Sequence, residues 1–74
     1  MEEINVFTLE NGEEYNEVKR IVYNDDTYVL LSNVLNDSDI CIRKLKKENN
    51  EEFMYRLDKD EFDTILKIFA EENN

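Results

Sequence analysis

Three sets of residues in this chain carry groups whose chemistry could be put to use: one thiol, two aspartate pairs and a cluster of bases. Cys41 stands in "ICIR", between Ile40 and Ile42. If that stretch is a strand, alternation turns Cys41 to the face opposite the two isoleucines, with Arg43 beside it. A neighbouring guanidinium would lower the thiol pKa and raise its reactivity, whereas a half-covered strand cysteine is simply a small apolar residue. The second reading is the expected one. Asp37-Ser38-Asp39 and Asp58-Lys59-Asp60 each open like a calcium loop. Such a loop needs a turn glycine at its sixth position and a bidentate glutamate at its twelfth. The sixth positions here are Ile42 and Asp63. A solvated turn and a helix N-cap are expected instead, with no metal and no cofactor.

The bases are concentrated in "IRKLKKENNEEFMYR", Ile42 to Arg56, which holds five of the nine Lys and Arg in a chain of net charge −10. Glu48, Glu51 and Glu52 offset them to a local +2, so the remainder carries −12. Alternation sets Lys44 and Lys46 on the face of Ile42 and sets Arg43, Leu45 and Lys47 on the other, so they form no single stripe. Lysines on an edge strand discourage sheet-to-sheet pairing and can face acids across a turn. Arg43, Lys44, Lys46 and Lys47 are the candidate partner contacts. Val34 and Leu35 join them, as two apolar residues in the polar connection "NVLNDSD". Covering the open end of the sheet is the preferred role for that pair.

Catalysis has little to stand on. There is no histidine, one glycine and one cysteine. A general base would have to be a carboxylate or lysine with a strongly shifted pKa, which requires more burial than a small domain provides. No phosphate-cradling loop and no nucleophile–base pair is present. The expectation is a protein that is not an enzyme.

Composition narrows the remaining classes. At 74 residues the chain supports one small core, without a disulfide framework or a His/Cys zinc site to reinforce it. A 41% hydrophobic content with eight aromatics argues for a folded domain despite 38% charged residues. Nineteen acids against nine bases repel phosphate backbones and anionic headgroups, which disfavours nucleic acid and membrane as partners. Met1-Glu2-Glu3-Ile4 places acids where a signal peptide carries bases. A cytoplasmic location is expected.

The elements that must position these groups read as consecutive short strands. The first is expected at 4–9, followed by Asn11-Gly12, a strong type I′ hairpin signal because both residues tolerate positive φ. The second is expected at 13–23, where Tyr15, Ile21 and Tyr23 share one parity and Val18 and Val22 the other; a bulge near Lys19-Arg20 reconciles them. Asn24 to Asp26 turns the chain into 27–33, whose apolar run suits a central strand covered on both faces. Strands at 40–46 and 52–57 follow, joined within "KENNE", with Phe53, Tyr55 and Leu57 on one face and Met54 and Arg56 on the other. From Asp58 the period changes: Phe62, Ile65, Leu66 and Phe69 form one helical stripe over 59–72, with Ile68 beside it. Asp58 and Glu61 make a box-like N-terminus, and the last four residues are expected to fray. The fold class is α+β: one small domain, a mostly antiparallel sheet of four to five strands with a C-terminal amphipathic helix on one face.

The segments "FTLENGEEY", "VYNDDTYVLLS" and "EEFMYRLDKDEFDTILKIF" together resemble the YrzB-like family of small acidic bacterial proteins, a domain family of unknown function. The resemblance runs over nearly the whole chain. It implies a small acidic domain and supplies no catalytic or ligand residues. The bases Arg43, Lys44, Lys46 and Lys47 depart from the more acidic pattern it implies at the fourth and fifth strands.

The function expected from these observations is a non-catalytic protein-binding or adaptor module, monomeric or weakly homodimeric, meeting its partner through a sheet edge or the basic hairpin. The alternative is an acidic nucleic-acid mimic that occupies the basic groove of a nucleic-acid-binding protein.

Overall fold

The computed structural model describes residues 5–72. Among them an antiparallel meander of five strands precedes one helix: β1 (Val6–Thr8), β2 (Glu14–Tyr23), β3 (Asp26–Asn33), β4 (Ile40–Glu48), β5 (Glu51–Tyr55) and α1 (Lys59–Glu72). Strands lie in space in chain order, so β1 and β5 are the edges and β4 is interior. This is the α+β class that the alternation and the terminal stripe predict. Ile4 and the expected fraying at Asn73 and Asn74 fall outside the described residues, while Glu71 and Glu72 remain in α1.

Asparagine makes two of the turns. Asn24 and Asp25 have φ of 51° and 67°, and Asn49 and Asn50 have 52° and 69°. Both are two-residue turns with two left-handed centres, the type I′ geometry whose twist matches the flanking strands. The first hairpin differs from its expectation. Gly12 has φ of 81° and Asn11 does not share it. The Gly12 amide donates to the Leu9 carbonyl at 2.9 Å, and the Leu9 amide donates to the Glu13 carbonyl at 3.0 Å. This is a three-residue loop in which glycine alone takes the left-handed position. Asn11 stabilises it from the side chain, its Oδ1 accepting the Glu13 amide at 2.9 Å.

The bulge in β2 falls at Val18, one residue before its expected place. Glu17 lies opposite Leu31 and Lys19 opposite Leu30, so Val18 has no partner in β3 and is 60% exposed. Its effect is to reverse the parity of the strand. Tyr15 faces with Val29 and Leu31, whereas Ile21 faces with Tyr28 on the opposite side. The two residues that shared a parity in the sequence therefore serve two different cores.

On the helix side Ile21, Tyr28 and Ile42 pack with Ile65 and Phe69, and Leu30, Leu57, Phe62 and Ile68 close around them. The other side buries Leu9, Tyr15, Val29, Leu31 and Leu45, with Phe7, Cys41 and Met54 against them. No helix covers that second cluster among the described residues; the sheet curls over it. Glu10, at the tip of the first hairpin, reaches Arg43 Nη2 at 2.9 Å and Arg56 Nε at 3.5 Å, which ties β1–β2 to β4 and the end of β5. The β3 run is buried on both sides, as its unbroken apolar sequence predicts.

One member of the predicted helix stripe is not in the core. Phe62, Ile65 and Phe69 pack inward, but Leu66 is 44% exposed and Ile68 is half-buried in its place. At about 100° per residue, Leu66 and Ile68 sit about 80° to either side of the Ile65–Phe69 line. Periodicity alone does not separate them; the placement of the helix on the curved sheet does. Ile65→Ala is accordingly expected to cost about 2–5 kcal/mol and Leu66→Ala less than about 1 kcal/mol in urea unfolding. Equal losses would contradict this packing.

Candidate functional site

The predicted bases do not come together as one patch. Arg43, on the curled side, is largely buried: Nη1 donates to the Ile42 carbonyl at 3.1 Å and Nη2 pairs with Glu10. Cys41 lies beside it on the same face, and burial pushes its thiol pKa up, outweighing the guanidinium. Cys41 packs against the second cluster as a small strand residue, the expected reading.

Lys44 points to the helix side and is committed there. Its ammonium pairs with the Glu61 carboxylate, lies 4.0 Å from Asp26 Oδ2 and stands 5.7 Å from the centre of the Tyr28 ring. The Tyr28 hydroxyl donates to Glu61 Oε2 at 2.9 Å. The spacing of Asp58 and Glu61 predicts a box-like N-terminus, and half of a capping box forms: Asp58 Oδ1 accepts the Glu61 amide at 2.8 Å, while the Glu61 carboxylate turns to Lys44 and Tyr28. A charged partner and a phenol supply stronger hydrogen bonds than a neutral backbone amide. Hydrogen bonding to Lys44 lowers the Glu61 pKa, and the same contact raises that of Lys44. Burial, then the hydrogen bond to Glu61, pushes Tyr28 up to about 12. This trio fastens the start of α1 to the sheet and has a structural purpose.

Lys46 and Lys47 differ. Both are exposed, on opposite faces of β4, and among the described residues neither has a carboxylate within ion-pair distance, although acids outnumber bases two to one in this chain. Lys46 lies opposite Phe53 and Lys44 opposite Tyr55. Phe53 and Tyr55 are on the helix side, yet they are 40% and 42% exposed. Helix α1 covers Ile21, Tyr28 and Ile42 and reaches Leu57, leaving β5 beyond its flank. The outcome is a surface of two aromatic rings and a free ammonium, next to an open groove of about 350 Å³ lined by Lys44, Lys46, Glu48, Tyr55 and Arg56. The strand pattern puts Phe53 and Tyr55 on one face with Leu57; the reach of the helix leaves the two rings at the surface while Leu57 packs against the core.

Val34 and Leu35 do not cover the end of the sheet. Val34 is half exposed and Leu35 is 91% exposed, in a connection closed by the Asn33 amide donating to the Asp39 carbonyl at 2.9 Å. The polar residues there are structural. Asn33 is buried; its Nδ2 donates to Glu13 and Asp39 at 3.1 Å each, and its Oδ1 accepts the Leu35 amide at 2.8 Å. Asp39 also accepts the Tyr15 hydroxyl at 2.6 Å. The first aspartate pair is therefore engaged in a turn and the second in the helix cap, and no group of three or more acidic or sulfur ligands is assembled among the described residues. Among the described residues no helix is long and apolar enough to cross a membrane.

Comparison with protein-family models, curated proteins and solved structures finds no match to this chain.

The Tyr28–Glu61–Lys44 contact sets a pH signature. Unfolded tyrosine ionises near 10.0 and folded Tyr28 near 12, so its stabilisation is complete below pH 10 and is lost as pH rises through about 12; the raised Lys44 acts in the same direction. The lowered Glu61 stabilises above its ordinary 4.5, and this is lost as pH falls through its folded value. Urea midpoints followed between pH 9 and 12 should fall less steeply for Tyr28→Phe than for the parent chain. Parallel slopes would remove the assigned role of Tyr28.

Proposed function

We propose that this protein is a non-catalytic protein-binding module of the cytoplasm, that the β4–β5 hairpin is its contact surface, and that its partner presents an acidic segment carrying apolar side chains. The observation that carries this reading is the juxtaposition of exposed Phe53 and Tyr55 with unpaired Lys46. Aromatic rings at a surface supply contact area at low entropic cost, and a free base beside them adds charge complementarity. The basic sign also orients an acidic partner against an otherwise acidic body, which carries −12 outside Ile42–Arg56.

The family resemblance to small acidic bacterial domains is compatible with such a role and assigns none of its own. Imitation of a nucleic acid rests on the same −12. It is the less supported reading because Glu10, Glu17 and Glu61 are already engaged with Arg43, Arg20 and Lys44, which breaks up a continuous array of free carboxylates.

Lys44 is unsuitable as a test position, since reversing it would strand Glu61. Lys46→Glu with Lys47→Glu alters exposed positions, the second setting a carboxylate opposite Glu52, so the unfolding free energy in urea should fall by no more than about 1 kcal/mol. Retention of a cytosolic partner on immobilised protein should fall by about tenfold or more, and the parent's own retention should weaken with added salt. Unchanged retention by the double variant would refute the hairpin as contact surface. Retention of nucleic-acid-binding proteins through other faces would favour mimicry.

A further inference from the structure

The β5 edge has a register in which it complements itself. Because Asn49-Asn50 is a two-residue turn, the flanking pair Glu48–Glu51 exchanges both ladder hydrogen bonds, and so do Lys46–Phe53 and Lys44–Tyr55. The amides and carbonyls of Glu52 and Met54 therefore point away from β4, toward the open edge. An incoming antiparallel strand must bond to these two residues, and a second copy of β5 can do so in three ways.

Side-chain chemistry separates the three. Placing Glu52 opposite Glu52 sets two carboxylates together. Placing Glu52 opposite Met54 leaves Glu52 without a cation and puts Arg56 opposite Asn50. Placing Met54 opposite Met54 sets Phe53 opposite Tyr55 twice on the helix side and Glu52 opposite Arg56 twice on the other, with two thioethers at the centre. Direct cross-strand aromatic pairs and opposite charges are the favourable combinations, and facing like charges is the unfavourable one. Phe53 and Tyr55, exposed in the single chain, become each other's cover. Arg56, 78% exposed and 3.5 Å from Glu10 in the single chain, gains a second carboxylate.

We propose that two copies of this chain pair antiparallel through β5 about a two-fold axis at Met54, extending the sheet to ten strands with both helices on one side. The contact is isologous and closes on itself. It spans one short strand from each copy, so it belongs with weak, reversible associations, below the roughly 1,200 Å² of a standard interface. The inference goes beyond the binding role proposed above and uses no other protein. Pairing would set two basic hairpins side by side and double the partner surface.

The register is read by cysteine placement. With Cys41 replaced by Ala, single cysteines at Glu52, Phe53 or Met54 are each oxidised in concentrated purified protein. Met54→Cys should form the disulfide-linked dimer of twice 8.9 kDa fastest, since directly opposite hydrogen-bonded residues have Cα atoms about 5.5 Å apart. Leu35→Cys, on an exposed connection, gives the rate of random collision. Faster linkage at 52 or 53, or no excess over Leu35→Cys, overturns the proposal. Charge exchange supplies an independent arm without cysteine. Glu52→Arg and Arg56→Glu should each abolish the dimer in sedimentation, and combining them in one chain, or mixing the two single variants, should restore it. Absence of restoration overturns the paired register. Either failure leaves the partner-binding reading to its own test, because that test scores retention of a different protein.

Discussion

One unpaired residue, Val18, sets the constraint on which the rest of this structure depends. Without the bulge, Tyr15 and Ile21 would face one side of β2, and either the helix core or the curled core would lose its aromatic or aliphatic contribution from that strand. With it, a single ten-residue strand feeds both. The extra twist that accompanies a bulge also suits the curl that carries the first hairpin over the second core, where Glu10 meets Arg43 and Arg56. A sheet of this size with one helix leaves one apolar face without a cover, and curling is the way this chain resolves that exposure.

Charge is used in the same economical manner. An acidic chain of this size has few bases, and most of those described have structural partners: Arg43 holds the first hairpin, Lys44 holds the helix start, and Arg20 pairs with Glu17 on its own strand. Exposed pairs of this kind contribute little each, but the Lys44–Glu61–Tyr28 group is partly buried and joins helix to sheet across 33 residues of sequence for the Tyr28–Glu61 bond. At the opposite end the buried Asn33 amide bonds the Glu13 and Asp39 carboxylates and the Leu35 amide, and Asp39 in turn accepts the Tyr15 hydroxyl. Helix and connection are thus each secured by a polar group whose unsatisfied state would be costly.

What is left over after these structural uses defines the surface. Lys46, Lys47, Phe53 and Tyr55 are residues of the β4–β5 hairpin that neither core consumes, and β5 is an edge whose outward backbone groups have no partner among the described residues. Acidic or not, a small protein with an open aromatic edge has a place for another chain to meet it. Lysine beside that edge limits indiscriminate pairing, while the order Glu52-Phe53-Met54-Tyr55-Arg56 permits one specific arrangement.

The α+β class, a sheet of four to five strands, the terminal helix and its aspartate cap were legible in the sequence, because alternation, turn asparagines and a 3.6-residue period are local consequences of backbone geometry. Asn24-Asp25 and Asn49-Asn50 could be read as turns for the same reason. The face taken by Cys41 followed from alternation with its flanking isoleucines. The exact bulge residue was not legible, since Val18 and Lys19-Arg20 satisfy the parity change equally well and only the register against Leu30 and Leu31 selects between them. Nor was the division of the bases into structural and free: Lys44 and Lys46 are alike in sequence, but only Lys44 lies within reach of Glu61. Leu66 and Ile68, symmetric about the helix stripe, were likewise separated by the position of the helix, and so were Phe53 and Tyr55 from the core. Sequence determines which face a side chain takes along its own element; whether another element covers that face is a matter of distances between elements, which only the tertiary structure decides.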